Sequence, residues 1–162
     1  IEESNIYLAK FARITRQALN HKELITIADE SKFLEDYLQM EQLRIPFKHE
    51  IKIGSALNSE NIEIPTMLLQ PIVENAVRHA LNGVTDGKIS IQFNGEQETL
   101  IISIADNGKG FNVEEENTGL GLSLTKKRIE LLNILYPENK FSLKFNTSDA
   151  GTEVKIYLED WL

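Results

Sequence analysis

The chain has 162 residues, of which 41% are hydrophobic, and this suits one domain, or one domain with a helical appendage. Its formal net charge of −8 argues against a general nucleic-acid-binding surface. Because the chain has no cysteine, disulfides and thiolate metal sites are excluded. No stretch has the length and apolarity of a membrane span, and none has the pattern of a signal peptide.

Two helices are predicted at the start of the chain. Residues 2–20 carry two neighbouring apolar stripes, typical of a helix in a bundle or coiled coil, although a helix folded back on its own domain gives the same pattern. A polar turn at residues 20–23 precedes Thr26 and Asp29, which form a capping-box pattern. The second helix is expected to run to about Arg44, and the proline two residues later ends it.

The next elements are a strand and a buried helix. Residues 47–54 alternate between apolar and polar side chains, which predicts a strand. Residues 66–81 have apolar side chains over most of a helical surface, which predicts a helix that belongs to the core. Pro71 lacks a backbone N–H, so either the regular helix starts near Gln70 or the segment is kinked there.

One polar stripe interrupts this buried helix. Its members follow the spacing i, i+3, i+4 and i+7, with Glu74 at the border: Asn75, Arg78, His79 and Asn82. Since buried polar groups are costly unless they are paired, the stripe predicts the wall of a polar cleft, in which Asn75 can offer an oxygen to Mg²⁺ and Arg78 and His79 can face phosphates. A helix with one solvated edge gives the same pattern.

A predicted hairpin, residues 88–94 and 99–105, leads into a glycine-containing loop. Residues 100–105 are apolar and β-branched, as a central strand requires, and Asp106 ends the strand. The following Gly108 and Gly110 permit positive φ and a close approach of backbone to a ligand. A carboxylate in this place can accept a hydrogen bond from an exocyclic amine, whereas a plain turn between two strands needs no ligand.

A second glycine pair opens the last predicted helix, residues 120–135. Gly119 and Gly121 beside a helix start form a backbone N–H site for anions, although an ordinary flexible loop has the same glycines. The acidic residues 112–118 before them suit a mobile lid or a solvated surface loop. The basic residues 126–128 are expected on a solvated helix face.

The chain closes with a second predicted hairpin, residues 141–146 and 152–158. Trp161 is expected to pack on the edge of the domain. Of the three histidines, His21 and His49 are expected at the surface, and His79 belongs to the cleft.

The motifs occur in the order "LLQPIVENAVRHA", "DNGKGF" and "TGLGLSLTKKRI". Together they resemble the ATP-binding domain of the gyrase, Hsp90, histidine kinase and MutL superfamily, the Bergerat fold. Within it, the first string and "YLQMEQLRI" (residues 37–45) are similar to LytS-type sensor histidine kinases. The resemblance implies an α/β fold of the α+β two-layer sandwich kind, with a mixed, mostly antiparallel sheet, helices on one face and an N-terminal helical segment.

The resemblance also implies roles for individual residues. Asn75 would ligate Mg²⁺, Arg78 and His79 would lie beside the phosphates or nucleoside, and Asp106 would hold the adenine amino group. Glu74 is only a candidate base, because Pro71 occupies the place of the catalytic glutamate in gyrase-like relatives. The other implied nucleotide contacts are Gly108 and Gly110 at the base and ribose, Gly119, Leu120, Gly121 and Leu122 at the phosphates, and Thr152 near the base.

The implied function is the ATP-binding catalytic domain (residues 47–162) of a two-component sensor histidine kinase, after a helical segment (residues 1–46) from the dimerisation and phosphoacceptor region. ATP and Mg²⁺ would be bound, and the intact protein would be a homodimer whose partner is the receiver domain of a response regulator, which accepts the phosphoryl group. This domain would lie in the cytoplasm, as part of a membrane-anchored bacterial sensor kinase whose membrane attachment lies upstream. No acceptor string of the "NPHFLFN" kind is present, so this piece is not expected to phosphorylate itself. The alternatives are a non-catalytic nucleotide-binding scaffold and an anti-sigma-factor-type serine kinase.

Overall fold

The computed structural model describes residues 23–110 and 120–162, with side chains in the second range from residue 123 onward. The predicted helix at residues 2–20, His21, the acidic segment at residues 112–118 and Gly119 therefore lie outside the described residues. The elements in chain order are β1 (Leu24–Thr26), α1 (Ile27–Glu41), β2 (Lys48–Ile53), β3 (Glu63–Pro65), α2 (Gln70–Asn75), a π-helical turn (Ala76–Ala80), β4 (Lys88–Glu96), β5 (Thr99–Asp106), α3 (Leu120–Leu135), β6 (Lys140–Ser148) and β7 (Gly151–Glu159).

The main sheet has five strands in the order β2-β4-β5-β7-β6. Strand β2 pairs with β4 in parallel, and the other three pairings are antiparallel. The predicted mixed, mostly antiparallel sheet is therefore confirmed. The structure adds a small antiparallel pair, β1 with β3, that the sequence analysis did not predict.

One face of the sheet forms the core. In the three central strands the buried residues alternate with outward-facing ones, as a sheet covered on one side requires. The inward residues of these strands are Ile89, Ile91, Phe93, Leu100, Ile102, Ile104, Val154, Ile156 and Leu158. Buried side chains of all three helices join the same core, so the helices lie on this face.

Helix α1 confirms its predicted start and ends earlier than predicted. The side chain of Thr26 accepts a 3.1 Å hydrogen bond from the backbone N–H of Asp29, as a helix cap does. The helix ends at Glu41 rather than near Arg44. Just after the helix, the side chain of Gln42 donates a 2.7 Å hydrogen bond to the carbonyl oxygen of Phe47, the residue before β2.

The regular helix starts at Gln70, which confirms one of the two alternatives that Pro71 left open and shows that a start near Thr66 was wrong. Pro71 lies in its first turn, where the missing N–H has no partner to lose. The preceding Met67 has a left-handed backbone, with φ of 61°, which no helix continues. After Asn75 the chain widens into the π-helical turn, in which the N–H of Leu81 donates to the carbonyl of Ala76 over 2.9 Å.

Two side chains expected at the surface are held by neighbours, so these expectations were wrong. The side chain of His49 is only 11% exposed, and its Nε2 lies 2.8 Å from Oε1 of Glu35 on α1. Arg128 donates a 3.1 Å hydrogen bond from Nη2 to the carbonyl oxygen of Thr66, although its neighbour Lys127 is exposed as expected. In both cases the partner is distant in sequence and is brought near only by packing of a helix on the core.

The remaining elements follow the prediction closely. Helix α3 has the predicted bounds, and both hairpins form, with strands one to two residues longer than predicted at most ends. Trp161 packs edge-on against Tyr136 and Phe141, and its indole N–H donates a 2.8 Å hydrogen bond to the carbonyl of Glu63. None of the described helices is long and apolar enough to cross a membrane.

Candidate functional site: a cleft between a helix and the sheet

A cleft opens between residues 70–80, here called the cleft helix (α2 with its π-helical turn), and the start of β7. Its cavity volume is about 70 Å³, and the cleft is open to solvent. The residues that line it are Ile72, Asn75, His79, Ala80, Gly110, Thr152 and Val154. Four of the predicted site residues, namely Asn75, His79, Gly110 and Thr152, are thus brought together on one cleft.

The helical side of the cleft follows from residue spacing. Ile72, Asn75 and His79 are separated by three and four residues, so they share one face of the cleft helix. Asn75 ends the regular α-helix, and the wider π-helical turn carries His79. Such turns are rare and are frequent at functional sites. The face therefore combines one apolar side chain with an amide and an imidazole.

The loop at residues 106–110 is pinned beside this helix. The carboxylate of Asp106 accepts a 2.9 Å hydrogen bond from the N–H of Gly108. Asn107 accepts from the N–H of Lys88 over 2.6 Å and donates to the carbonyl of Asp86 over 3.0 Å. The N–H of Lys109 donates a 3.2 Å hydrogen bond to the carbonyl of Ala80, so the loop is bound to the end of the cleft helix.

Glycines are required where this loop meets its neighbours. A Cβ on Gly108 would overlap the backbone of Ala80. Gly110 has φ of +61°, and a Cβ there would overlap the carbonyl of Ser148. Gly151, the first residue of β7, has φ of +133°, and a Cβ there would overlap the carbonyl of Asp106. The sequence analysis gave roles to Gly108 and Gly110 but missed the need for Gly151.

Asp106 lies in β5 directly opposite Thr152 of β7, which lines the cleft. Burial raises the pKa of the Asp106 carboxyl, and backbone hydrogen bonds from Gly108 and Thr152 oppose part of this shift. The hydroxyl of Thr152 is itself held, since its Oγ1 lies 3.1 Å from Oγ1 of Thr147. An acceptor in a partly dry, ordered environment suits recognition of an amino group.

Four of the predicted site residues are not among those that line the cleft, namely Glu74, Arg78, Asp106 and Gly108. Asp106 and Gly108 belong to the pinned loop beside the cleft. Glu74 accepts a 2.8 Å hydrogen bond from the side chain of Gln70, one helical turn before it. On α1, burial and then the charges of Glu41 and Glu74 raise the pKa of Tyr37, whereas Arg78 and Arg44 lower it, so Glu74 and Arg78 are near α1.

The structure describes only part of the segment predicted to bind phosphates, residues 119–122. Helix α3 starts at Leu120, which places Gly121 and Leu122 in its first turn. The side chains there and Gly119 lie outside what the structure describes. The lining residues that the sequence analysis missed are Ile72, Ala80 and Val154. Val154 could have been found from strand alternation and Ile72 from its spacing to Asn75.

The donor set bears on which metal the cleft suits. Among the described residues no three His, Cys, Asp or Glu side chains come together in a way that would hold a metal ion. Asn75 offers one neutral amide oxygen in the cleft. Mg²⁺ in nucleotide sites takes few protein ligands and several phosphate and water oxygens, so this arrangement fits Mg²⁺ carried in by a nucleotide.

Comparison with known families gives the class of protein. The profile described as "Histidine kinase-, DNA gyrase B-, and HSP90-like ATPase" matches residues 61–161, and the profile described as "Histidine kinase" matches residues 1–49. The chain belongs to this ATPase family. The fold and the cleft described above agree with this membership.

Individual relatives agree with this assignment. The chain is 32% identical over 124 residues to the sensor histidine kinase BtsS of Escherichia coli, which covers 76% of this chain and 22% of that protein. It is 30% identical over 160 residues to the sensor protein LytS of Streptococcus agalactiae, which covers 91% of this chain and 26% of that protein. The chain thus spans about a quarter of the length of these relatives.

Solved structures with the same fold include two histidine kinases. The histidine kinase domain of the blue-light activated kinase EL346 from Erythrobacter litoralis has a TM-score of 0.65 at 16% identity, over 88% of this chain and 70% of that one. The histidine kinase AdeS of Acinetobacter baumannii has a TM-score of 0.61 at 17% identity, over 94% of this chain and 75% of that one. At these identities the likeness concerns the fold alone.

Proposed function

We propose that this chain binds Mg-ATP in the cleft and, as part of a longer protein, transfers the γ-phosphoryl group to a histidine on a helix upstream. The observation that carries the proposal is the meeting of Asn75, His79, Gly110 and Thr152 on one cleft beside the loop of Asp106. These residues come from three separate segments of the chain, and each offers a group that suits a different part of a nucleotide.

The base would lie at the sheet side of the cleft. Ile72 and Val154 would provide apolar contact for a purine ring. Asp106, which lies opposite the lining residue Thr152, would accept a hydrogen bond from the amino group of the base. Gly108 and Gly110 let the loop backbone pack against Ala80 and Ser148, and this packing would hold Gly110 at the cleft beside the base and ribose. Thr152, opposite Asp106, would complete the contact near the base.

The phosphates would lie toward the other end of the cleft helix. The amide oxygen of Asn75 would be a ligand of Mg²⁺, and His79, in the same face, would donate to a phosphate oxygen. The backbone N–H groups that open α3, around Gly119 to Leu122, would bind phosphates as helix N-termini do. Mg²⁺ would supply charge neutralisation on the transferred group.

Glu74 and Arg78 have a different place in this proposal. Their position near Tyr37 favours a contact between the cleft helix and α1 over direct contact with the nucleotide. Glu74 would act as a base only if its hydrogen bond with Gln70 opened. Positioning and charge neutralisation would then supply most of the rate enhancement.

The acceptor and the partners belong to the longer protein. Neither described histidine is proposed as the acceptor, since His49 is paired with Glu35 and His79, although exposed, lines the cleft where the nucleotide would bind. The phosphoryl group would pass from the upstream histidine to an aspartate of a response-regulator receiver domain. The intact protein would be a homodimer through the helical region of residues 1–46, and this domain would work in the cytoplasm. Helix α1, within that region, shares the core of the ATP-binding part.

Calorimetric titration with ADP and ATP, with and without Mg²⁺, tests the proposal. Asp106→Ala should abolish binding of both nucleotides, because the contact to the base is lost. Asn75→Ala should remove the gain in ATP affinity that Mg²⁺ gives. Asn94→Ala, on the outer face of β4, is the matched control and should bind as the wild type does. Absence of nucleotide binding by the wild type would refute the proposal.

Phosphoryl transfer needs its own test in the full-length protein. Radiolabelled ATP should label the wild type on histidine, and Asn75→Ala should remove the label. A full-length protein that binds Mg-ATP but acquires no label would instead be a nucleotide-dependent scaffold.

A further inference from the structure

The entry into the cleft helix has Pro71 in its first turn and the buried Leu68 and Leu69 before it, but no side-chain cap. Leu69 is the residue before the first turn, and no side chain among the described residues caps the free N–H groups there. Two residues earlier, Met67 has a left-handed backbone with φ of 61°, a conformation that non-glycine residues rarely adopt. Such a conformation persists only where the surroundings impose it. The direction in which the cleft helix starts must therefore be set by contacts from elsewhere.

Those contacts converge on Thr66, the residue directly before Met67. Its N–H and its hydroxyl both donate to the carbonyl of Glu23, over 3.0 Å and 3.3 Å. Its carbonyl oxygen accepts the 3.1 Å hydrogen bond from Nη2 of Arg128. The peptide groups on both sides of Thr66 are thus fixed, one by the edge of β1 and the other by α3.

Arg128 is held as firmly as the carbonyl that it binds. The next residue, Ile129, and Leu132 are buried in the core, so this part of α3 cannot turn without loss of packing. The guanidinium is half-buried, and its Nε is buried without a partner among the described residues. Burying a charged group without a full set of partners costs free energy. The hydrogen bond from Arg128 to Thr66 offsets part of this cost.

The hydrogen bond from Arg128 to the carbonyl of Thr66, here called the clamp, connects the two helices that flank the proposed phosphate side of the cleft. Helix α3 begins at Leu120, at the glycine pair that is expected to bind phosphates. The cleft helix carries Asn75, about one and a half turns after its start at Gln70. Asp106 has separate support, since it lies in β5 and is held by Gly108 and by its pairing with Thr152. The base and the phosphates are therefore supported by different parts of the structure.

We infer that Arg128 is a positioning residue for Mg-ATP: by holding the carbonyl of Thr66 it sets the place of Asn75 relative to the phosphate-binding start of α3. This inference rests on the proposed function and deepens it. A tie that only stabilised the fold would affect every ligand alike. A positioning tie affects the part of the nucleotide that needs both helices, namely the phosphates with their metal ion, and spares the base.

The test compares Arg128→Met with Lys127→Met, an exposed neighbour on the same helix that loses the same charge. Adenosine, Mg²⁺-free ADP and ATP with Mg²⁺ are titrated into each variant, and urea unfolding is followed in parallel. Arg128→Met should weaken Mg-ATP by about tenfold or more and leave adenosine within about twofold of the wild type. Lys127→Met should leave all three affinities unchanged. Arg128→Lys should recover part of the Mg-ATP affinity, since an ammonium group keeps one donor for the carbonyl of Thr66.

Two results would overturn the inference. One is an equal loss of affinity for adenosine and Mg-ATP in Arg128→Met, which would make the clamp a purely structural tie. The other is an unchanged Mg-ATP affinity. If Arg128→Met does not fold, the ratio of Mg-ATP to adenosine affinity in Arg128→Lys decides the question, and a ratio equal to that of the wild type counts against positioning. Failure of the wild type to bind any of the ligands would instead refute the proposed function.

Discussion

Gly108 lies directly against the backbone of Ala80, so closely that a Cβ at residue 108 would overlap the carbonyl group of Ala80. The next residue, Lys109, donates its N–H to the same carbonyl oxygen over 3.2 Å. The loop that carries Asp106 and the helix that carries Asn75 are therefore joined at this point. Any displacement of the loop would move the proposed base contact relative to the proposed metal ligand.

The first prediction concerns this contact. Gly108→Ala should lower the free energy of unfolding by about 1–3 kcal/mol, because the added methyl group overpacks a backbone contact that cannot yield. It should also weaken ATP binding, since the loop must shift. Gly95→Ala is the matched control, because its Cβ would meet only the ends of the Leu57 and Leu162 side chains, at 3.0 Å. Equal behaviour of the two variants in urea unfolding and calorimetry would contradict the prediction.

A second prediction concerns the protonation of Asp106. Burial raises the pKa of its carboxyl. If the ionised carboxylate accepts the amino group of adenine, ATP affinity should fall as the pH is lowered, with a midpoint above the usual range of an aspartic acid. Asp106→Asn should bind ATP more weakly by about tenfold or more, because the amide forfeits the charge-assisted hydrogen bond, and this dependence on pH should disappear.

Calorimetric titrations between about pH 4.5 and 8 on the wild type, Asp106→Asn and Asp160→Asn measure this effect, since this range begins just above the ordinary aspartate pKa of about 4. Asp160 is exposed at the far end of β7 and should behave as the wild type does. A dependence on pH that survives in Asp106→Asn would assign it to another group.

Most of the sheet could be predicted because its signals are local. The alternation of Ile89, Ile91 and Phe93 with polar residues marks β4, and the same pattern marks β5 and β7. Their hairpins are closed by short turns within a few residues. The bounds of α3 followed from an apolar face between a glycine pair and a proline.

The pair β1 with β3 could not be predicted in this way. Each strand has three residues, and residues that pair with one another, such as Leu24 and Pro65, are far apart in sequence. Residues 66–69 misled for another reason. Leu68 and Leu69 are fully buried and continue the helical spacing upstream, yet Pro71 confines the helix start to Gln70 and the leucines reach the core from a turn.

The candidate site was predictable where it depends on motifs and not where it depends on rotation of the cleft helix. The polar stripe correctly grouped Asn75 with His79 at the cleft. Nothing in the sequence marks the π-helical turn, which changes the angle between successive side chains, and Arg78 does not line the cleft. Likewise, no local pattern joins Arg128 to Thr66, 62 residues away.

A third prediction concerns Glu30, whose carboxyl is buried on α1. Burial raises its pKa from the ordinary 4.5 to about 7. Since the folded state then favours the protonated form, this group contributes stability that is fully present below pH 4.5 and is lost as the pH rises through about 7. The isosteric Glu30→Gln cannot ionise, so it should be more stable than the wild type by up to about 3 kcal/mol at alkaline pH.

Urea unfolding of the wild type and Glu30→Gln at a series of pH values measures this difference. The gain of the variant should appear between pH 4.5 and about 7 and stay constant above that range. Glu60→Gln, at an exposed position, should give no comparable gain. A difference between Glu30→Gln and the wild type that does not change with pH would show that Glu30 titrates normally in the folded protein.

A fourth prediction concerns the hydroxyl of Tyr37, which is buried on α1 and has no hydrogen-bond partner among the described residues. A buried donor without an acceptor costs free energy, so its removal should not destabilise the fold. Tyr37→Phe keeps the ring and should raise the free energy of unfolding by about 1 kcal/mol. Tyr157→Phe, on the outer face of β7, is the control and should have little effect. Destabilisation by Tyr37→Phe in urea unfolding would mean that the hydroxyl binds a neighbouring group, with Glu41 the first candidate, because its charge raises the pKa of Tyr37 more than that of Glu74 does and its buried Oε2 has no hydrogen-bond partner among the described residues.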